Sequence, residues 1–122
     1  MLLFVPKETA PGERRVAMSP DAAKRLAPTG AKIAVEVGAG VMSDYPDASF
    51  AAAEVATMTA EEGWSSADIV ACVRPPTAEN VARMKAGALL LGLIEPHGDR
   101  ARIDAYAAAD VAAFAFEFVP RI

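Results

Sequence analysis

The residues best equipped for chemistry are cations that follow short apolar runs. Lys7, Arg14 and Arg15 crowd one stiff stretch, Val5-Pro6-Lys7-Glu8-Thr9-Ala10-Pro11-Gly12-Glu13-Arg14-Arg15, which leads to Ser19-Pro20. Arg74 closes a later apolar run, Glu95 the next, and Arg121 the last, each beside a proline (Pro75, Pro96, Pro120). A guanidinium fork donates two parallel hydrogen bonds, which suits carboxylate, carboxamide or phosphate oxygens. Lys7, Arg15, Arg74 and Glu95 are therefore expected to line a pocket for a small anion, with Arg121 converging on it.

Glu95 reads in two ways: a general acid or base if buried, or an ion-pair partner of Arg74. The second is favoured, because a neighbouring cation keeps a carboxylate ionised. His97 lies on a loop between Pro96 and Gly98 and reads as solvated, and no cluster has metal-ligand spacing. Cys72 is the only cysteine. It falls in an apolar run, where a buried, inert thiol is expected, and no internal disulfide can form. No catalytic residue and no metal site is assigned.

Five apolar segments must position these side chains: Leu2 to Val5, Lys32 to Val37, Asp68 to Val73, Ala88 to Ile94 and Val111 to Val119. Helical stretches alternate with them, the pattern of a parallel sheet covered on both faces. Ser19 is expected to cap a helix over residues 20–27 with Ala23, Leu26 and Ala27 inward. Shorter helices follow over 47–53, after the capping box Thr59-Ala60-Glu61-Glu62 with Trp64 packed inside, from Thr77 to Lys85, and over 100–109 with Ile103 and Tyr106 inward. The reading is an open, mostly parallel α/β domain with flavodoxin-like order 2-1-3-4-5. In such a sheet the strand ends share one edge, where ligands bind. Gly38-Ala39-Gly40 begins like a dinucleotide fingerprint, but the third glycine is missing and Tyr45-Pro46 interrupts any long helix. It reads as a turn.

The 122 residues suffice for one domain, and 53% hydrophobic content with 23% charged residues suits a buried core. A net charge of −4 argues against a nucleic-acid partner, so the local cations point to a small anion instead. No apolar run is long enough to span a bilayer, and no basic region precedes the first one. The cytoplasm, a reducing compartment, is the expected location.

Residues 5 to 20, with Val-Pro-Lys-Glu-Thr, Pro-Gly-Glu-Arg-Arg-Val-Ala and Ser-Pro, resemble the amino terminus of the alanine dehydrogenase and pyridine nucleotide transhydrogenase family. Glu36-Val37-Gly38-Ala39-Gly40, Val73-Arg74-Pro75-Pro76 and Phe118-Val119-Pro120-Arg121-Ile122 resemble later family segments, so the likeness covers essentially the whole chain. In the dehydrogenase branch a histidine follows the fourth strand. Here Glu95 takes that slot and His97 comes two residues late, which, with the Val-Pro-Arg-Ile ending, favours the transhydrogenase α subunit.

That resemblance implies hydride transfer between NAD(H) and NADP(H), coupled to proton movement. NAD would bind jointly with a following Rossmann domain that these residues do not contain, and Arg121 would lie near the nicotinamide. In the dehydrogenase branch, residues at the positions of Arg15 and Arg74 hold a substrate carboxylate. Expected partners are the rest of the α subunit, NADP-binding and membrane subunits at the inner face of the cell membrane, and a second copy in a homodimer. The chain is expected to be a shortened piece, inactive alone. The alternatives are an alanine dehydrogenase amino-terminal domain, or a stand-alone anion-binding or dimerisation module.

Overall fold

A computed structural model describes residues 1–95 and 99–119. Six parallel strands form one sheet: β1 (Leu2–Val5), β2 (Lys32–Glu36), β3 (Ala56–Met58), β4 (Ile69–Ala71), β5 (Leu89–Gly92) and β6 (Ala112–Ala115). Their order is β3-β2-β1-β4-β5-β6. The five expected strands keep the order 2-1-3-4-5, and β3 is added outside β2. This corrects the expected count from five to six. Ala56-Thr57-Met58 has no alternating apolar pattern. It is a strand because it pairs with Ala34, Val35 and Glu36, with Val37 N–H donating to Met58 C=O at 3.1 Å.

Five helices connect the strands: α1 (Pro20–Leu26), α2 (Asp47–Ala52), α3 (Ala60–Ser66), α4 (Ala78–Arg83) and α5 (Arg100–Ala108). Caps set their starts. Ser19, Thr59 and Thr77 side chains accept the amides of Ala22, Glu62 and Asn80, each at 3.2 Å, and Asp99 accepts those of Ala101 and Arg102. Of the stripe expected on the first helix only Ala23 is buried; Ala27 is exposed, in a 3-10 turn that continues α1 over Ala27–Thr29. Likewise β2 stops at Glu36 and Val37 is exposed, and β6 gives way to a 3-10 turn at Phe116–Phe118.

Helices α3, α4 and α5 cover one face of the sheet over Phe4, Val70 and Leu90, with Trp64, Val81, Met84 and Tyr106 packed on them. Phe4 and Trp64 meet edge to face at 6.2 Å. Helix α3 can approach this closely because residue 63 is glycine: a Cβ there would overlap the Phe4 ring. The other face lies under α1 and α2, with Leu3, Val5, Val35, Ala71, Ala23 and Phe50 buried together. That cover ends at β4. On the same face of β5 and β6, Leu91 is half-buried and pairs in register with Phe114, which is 50% exposed, as is nearly half of Phe116.

Candidate functional site

The chain runs outward from β1 through β2 to β3, then returns to the other side of β1 and runs outward again through β4, β5 and β6. The direction of winding therefore reverses between β1 and β4, and their carboxyl ends open a crevice of the kind where α/β sheets bind ligands. The two loops that flank it are the Lys7–Arg15 stretch and the turn carrying Arg74. Arg15, Arg74 and Glu95 thus meet on one edge, as their places at the strand ends predict.

They do not meet as free charges. Glu13 holds Arg15 through a fork, Nε donating to Oε2 at 2.8 Å and Nη2 to Oε1 at 2.7 Å. The same Oε1 lies 3.7 Å from Arg74 Nε. Arg74 Nη1 donates to Glu95 Oε1 at 3.0 Å, and Glu95 Oε2 lies 3.7 Å from Arg102 Nη1. The result is an alternating row, Arg15–Glu13–Arg74–Glu95–Arg102. Hydrogen bonds from the Arg15 guanidinium and amide, with its charge and that of Arg74, hold the Glu13 carboxyl down at about 2. Glu13 in turn pushes Arg15 upward. Glu95 is bound on both oxygens by cations, the ion-pair geometry expected of it.

Carboxylates also tie down the strand ends. Glu8 accepts the amides of Val73 and Arg74, both at 2.9 Å, and so joins the loop after β1 to the loop after β4. Glu117 does the same for Ile94 and Glu95, at 3.1 and 2.6 Å, and Glu36 accepts the Lys7 amide at 2.7 Å. Burial pushes the Glu8 carboxyl up, and its two amide bonds oppose that. The residues that organise this edge are thus largely ones that the sequence alone did not single out: Glu8, Glu13, Glu36, Arg102 and Glu117. Glu13 had a signal in its position two residues before Arg15. Arg102 had none, because a cation in the first turn of a helix carries no mark of which strand end it faces.

Lys7 is exposed, and its side chain has no carboxylate at ion-pair distance among the described residues. It shares with Arg74 and Trp64 a crevice of only about 20 Å³, room for about one water. Arg15 instead stands at the rim of an open groove of about 730 Å³ floored by Leu3, Ala71, Leu91 and Leu93 and closed by Phe116. Arg121 and His97 lie outside the described residues. Cys72 is buried, its thiol donates to Leu91 C=O at 3.4 Å, and burial pushes it up to about 12, so it is inert as expected. The amide of Gly38 is spent on Asp47 Oδ1 at 3.0 Å, and only a 3-10 turn follows, so that glycine turn offers no phosphate cradle.

The alanine dehydrogenase/PNT N-terminal domain model matches residues 4–122. The chain belongs to this family. Within it, the chain is 41% identical over 128 residues to the first part of the NAD(P) transhydrogenase alpha subunit of Rhodospirillum rubrum, covering 100% of this chain and 33% of the relative. It is 32% identical over 120 residues to alanine dehydrogenase of Mycobacterium tuberculosis, covering 98% of this chain and 32% of that one. The crystal structure of transhydrogenase from Sinorhizobium meliloti superposes with a TM-score of 0.95 at 35% identity, over 100% of this chain and 36% of that one. The chain thus spans about a third of the length of these family members. Among the described residues no helix is long and apolar enough to cross a membrane, and no three metal-ligating side chains cluster.

Proposed function

We propose that this domain works as the amino-terminal part of the α subunit of a proton-translocating NAD(P) transhydrogenase, in which hydride passes between NAD(H) and NADP(H). The observation that carries this reading is the match along the entire chain to the Rhodospirillum rubrum α subunit. Glu95 supports it. The family resemblance puts Glu95 in the slot where the dehydrogenase branch would carry a histidine, and here that carboxylate lies bound between two arginines.

The described residues fit one part of a nicotinamide dinucleotide and not the rest. The groove has a largely apolar lining, which suits the flat face of a nicotinamide ring, while Arg15 and Ser43 beside it are held by Glu13 and by the Arg14 carbonyl. A pyrophosphate has no cradle here, since the one glycine-rich turn has its leading amide occupied. NAD would therefore be held jointly with a Rossmann domain beyond these residues, with Arg121 beside the nicotinamide. Bound NAD would supply the ring that carries hydride; this domain would orient that ring and exclude water from it. The partners in this reading are the rest of the α subunit, the NADP-binding and membrane subunits, and a second copy of the chain, on the cytoplasmic side of the cell membrane.

The isolated chain should transfer no hydride. In the longer protein that carries this domain, NADH should reduce an NADP analogue, and Arg121→Ala should weaken NADH binding. Robust NAD-dependent oxidation of alanine by that protein would instead establish the dehydrogenase reading, which the likeness to the Mycobacterium tuberculosis enzyme favours.

A further inference from the structure

The row of charges at the strand ends has one member that is held more tightly than a surface ion pair requires. Glu95 adopts a left-handed backbone, φ 53°, where its Cβ crowds the following carbonyl oxygen. Its amide is fixed by a 2.6 Å hydrogen bond to Glu117 Oε2. Its two carboxylate oxygens go to different guanidinium groups, Oε1 to Arg74 and Oε2 to Arg102. Asp44, Glu54 and Asp110 share that backbone, so what sets Glu95 apart is the pinning of its amide and of both carboxylate oxygens at once.

One carboxylate spans the space between Arg74 and Arg102, so without it the two guanidinium groups would leave a seat that another carboxylate can fill. The side chains of Arg74, Arg102 and Glu95 are open to water, at 43%, 27% and 45% exposure, so a dissolved anion could reach the gap. We propose that Glu95 is a specificity determinant that occupies this seat with the chain's own carboxylate and so excludes small free carboxylic acids. The inference rests on the geometry and does not require the transhydrogenase reading.

A tethered carboxylate competes at an effective concentration on the order of millimolar or above. A free monocarboxylate must therefore displace it, whereas removal of the tether leaves Arg74 Nη1 without its carboxylate and Arg102 Nη1 with only its 3.5 Å hydrogen bond to Ile94 C=O.

Acetate, which reproduces the end of the glutamate side chain, is the probe. Titrations into the 122-residue chain would follow the amide resonances of Val73 and Arg74 and the side-chain resonances of Arg74 and Arg102. Glu95→Gly, which also relieves the left-handed strain, and the isosteric Glu95→Gln should each bind acetate at least about tenfold more tightly than the parent chain. Adding Arg74→Ala to Glu95→Gly should abolish the gain. Glu79→Gln, which frees Arg83 elsewhere on the surface, should gain nothing. The proposal is overturned if both Glu95 variants bind acetate no more tightly than the parent, if the gain survives Arg74→Ala, or if both variants unfold, which would make the carboxylate a structural brace.

Discussion

Glu8 and Arg74 lie 66 positions apart and are joined side chain to backbone, Glu8 Oε1 accepting the Arg74 amide at 2.9 Å while Oε2 accepts that of Val73. One carboxylate thus closes the crevice between β1 and β4 and fixes where Arg74 projects. Burial opposes the charge on Glu8, but the half-buried Val73 amide left behind would be short of a partner. Glu8→Ala should lower unfolding free energy by about 2 kcal/mol in urea titrations. A change below about 0.5 kcal/mol, the usual range for surface substitutions, would mean water replaces the clamp without loss.

Glu13 gives this edge its acid sensitivity. Its folded carboxyl titrates at about 2 and its ordinary value is 4.5, so the folded form binds protons less readily than the unfolded one. The stabilisation is present above pH 4.5 and is lost as pH falls towards 2. Glu8 is shifted upward and works in the opposite sense, costing stability as pH rises through its ordinary range. Denaturation midpoints between about pH 6 and 2 should fall with acid in the parent chain and fall less in Glu13→Gln. Equal slopes in both would remove Glu13 from that role.

Tyr106 is 3% exposed, and its hydroxyl has no hydrogen-bond partner among the described residues. Burial pushes it up to about 12. An unpaired hydroxyl in the core costs free energy that its removal recovers, so Tyr106→Phe should raise stability by about 1 kcal/mol. Thermal melts would detect this as a higher Tm. A lower Tm would reveal a hydrogen bond through buried water.

Replacing Gly63 with alanine tests the close seating of α3 on β1. Alanine favours the helix by about 1 kcal/mol. The added methyl would meet the Phe4 ring, however, and overpacking a core typically costs about 1–3 kcal/mol. Net destabilisation is expected in urea melts; a gain in stability would show that the ring yields easily.

Much of the sheet was legible because strands covered on both faces are written as apolar runs: Leu2 to Val5 and Ala88 to Ile94 could hardly be anything else. Strand β3 was not, because Ala56-Thr57-Met58 carries no apolar run or alternation and becomes a strand through its pairing with β2. The meeting of Arg15, Arg74 and Glu95 followed from topology alone. The Arg74–Glu95 ion pair was expected from their charges; what topology could not supply was the further pairing of Arg15 and Arg74 with Glu13 and of Glu95 with Arg102. Whether a guanidinium meets a ligand or a nearby carboxylate depends on side-chain reach, and Glu13, Glu117 and Arg102 are ordinary polar residues until the loops are folded.

The half-wet rings of Phe114 and Phe116 give a single position two different meanings. In this chain alone, serine at residue 114 strips away surface that water already touches, so a mutational survey would score it as tolerant. Once any protein covers β5 and β6, the identical change would place a hydroxyl in a dry seam and would be scored as damaging. Tolerance at that corner of the sheet is therefore a property of the assay's company, and the contrast between the two scores is itself a measure of how completely the face is covered.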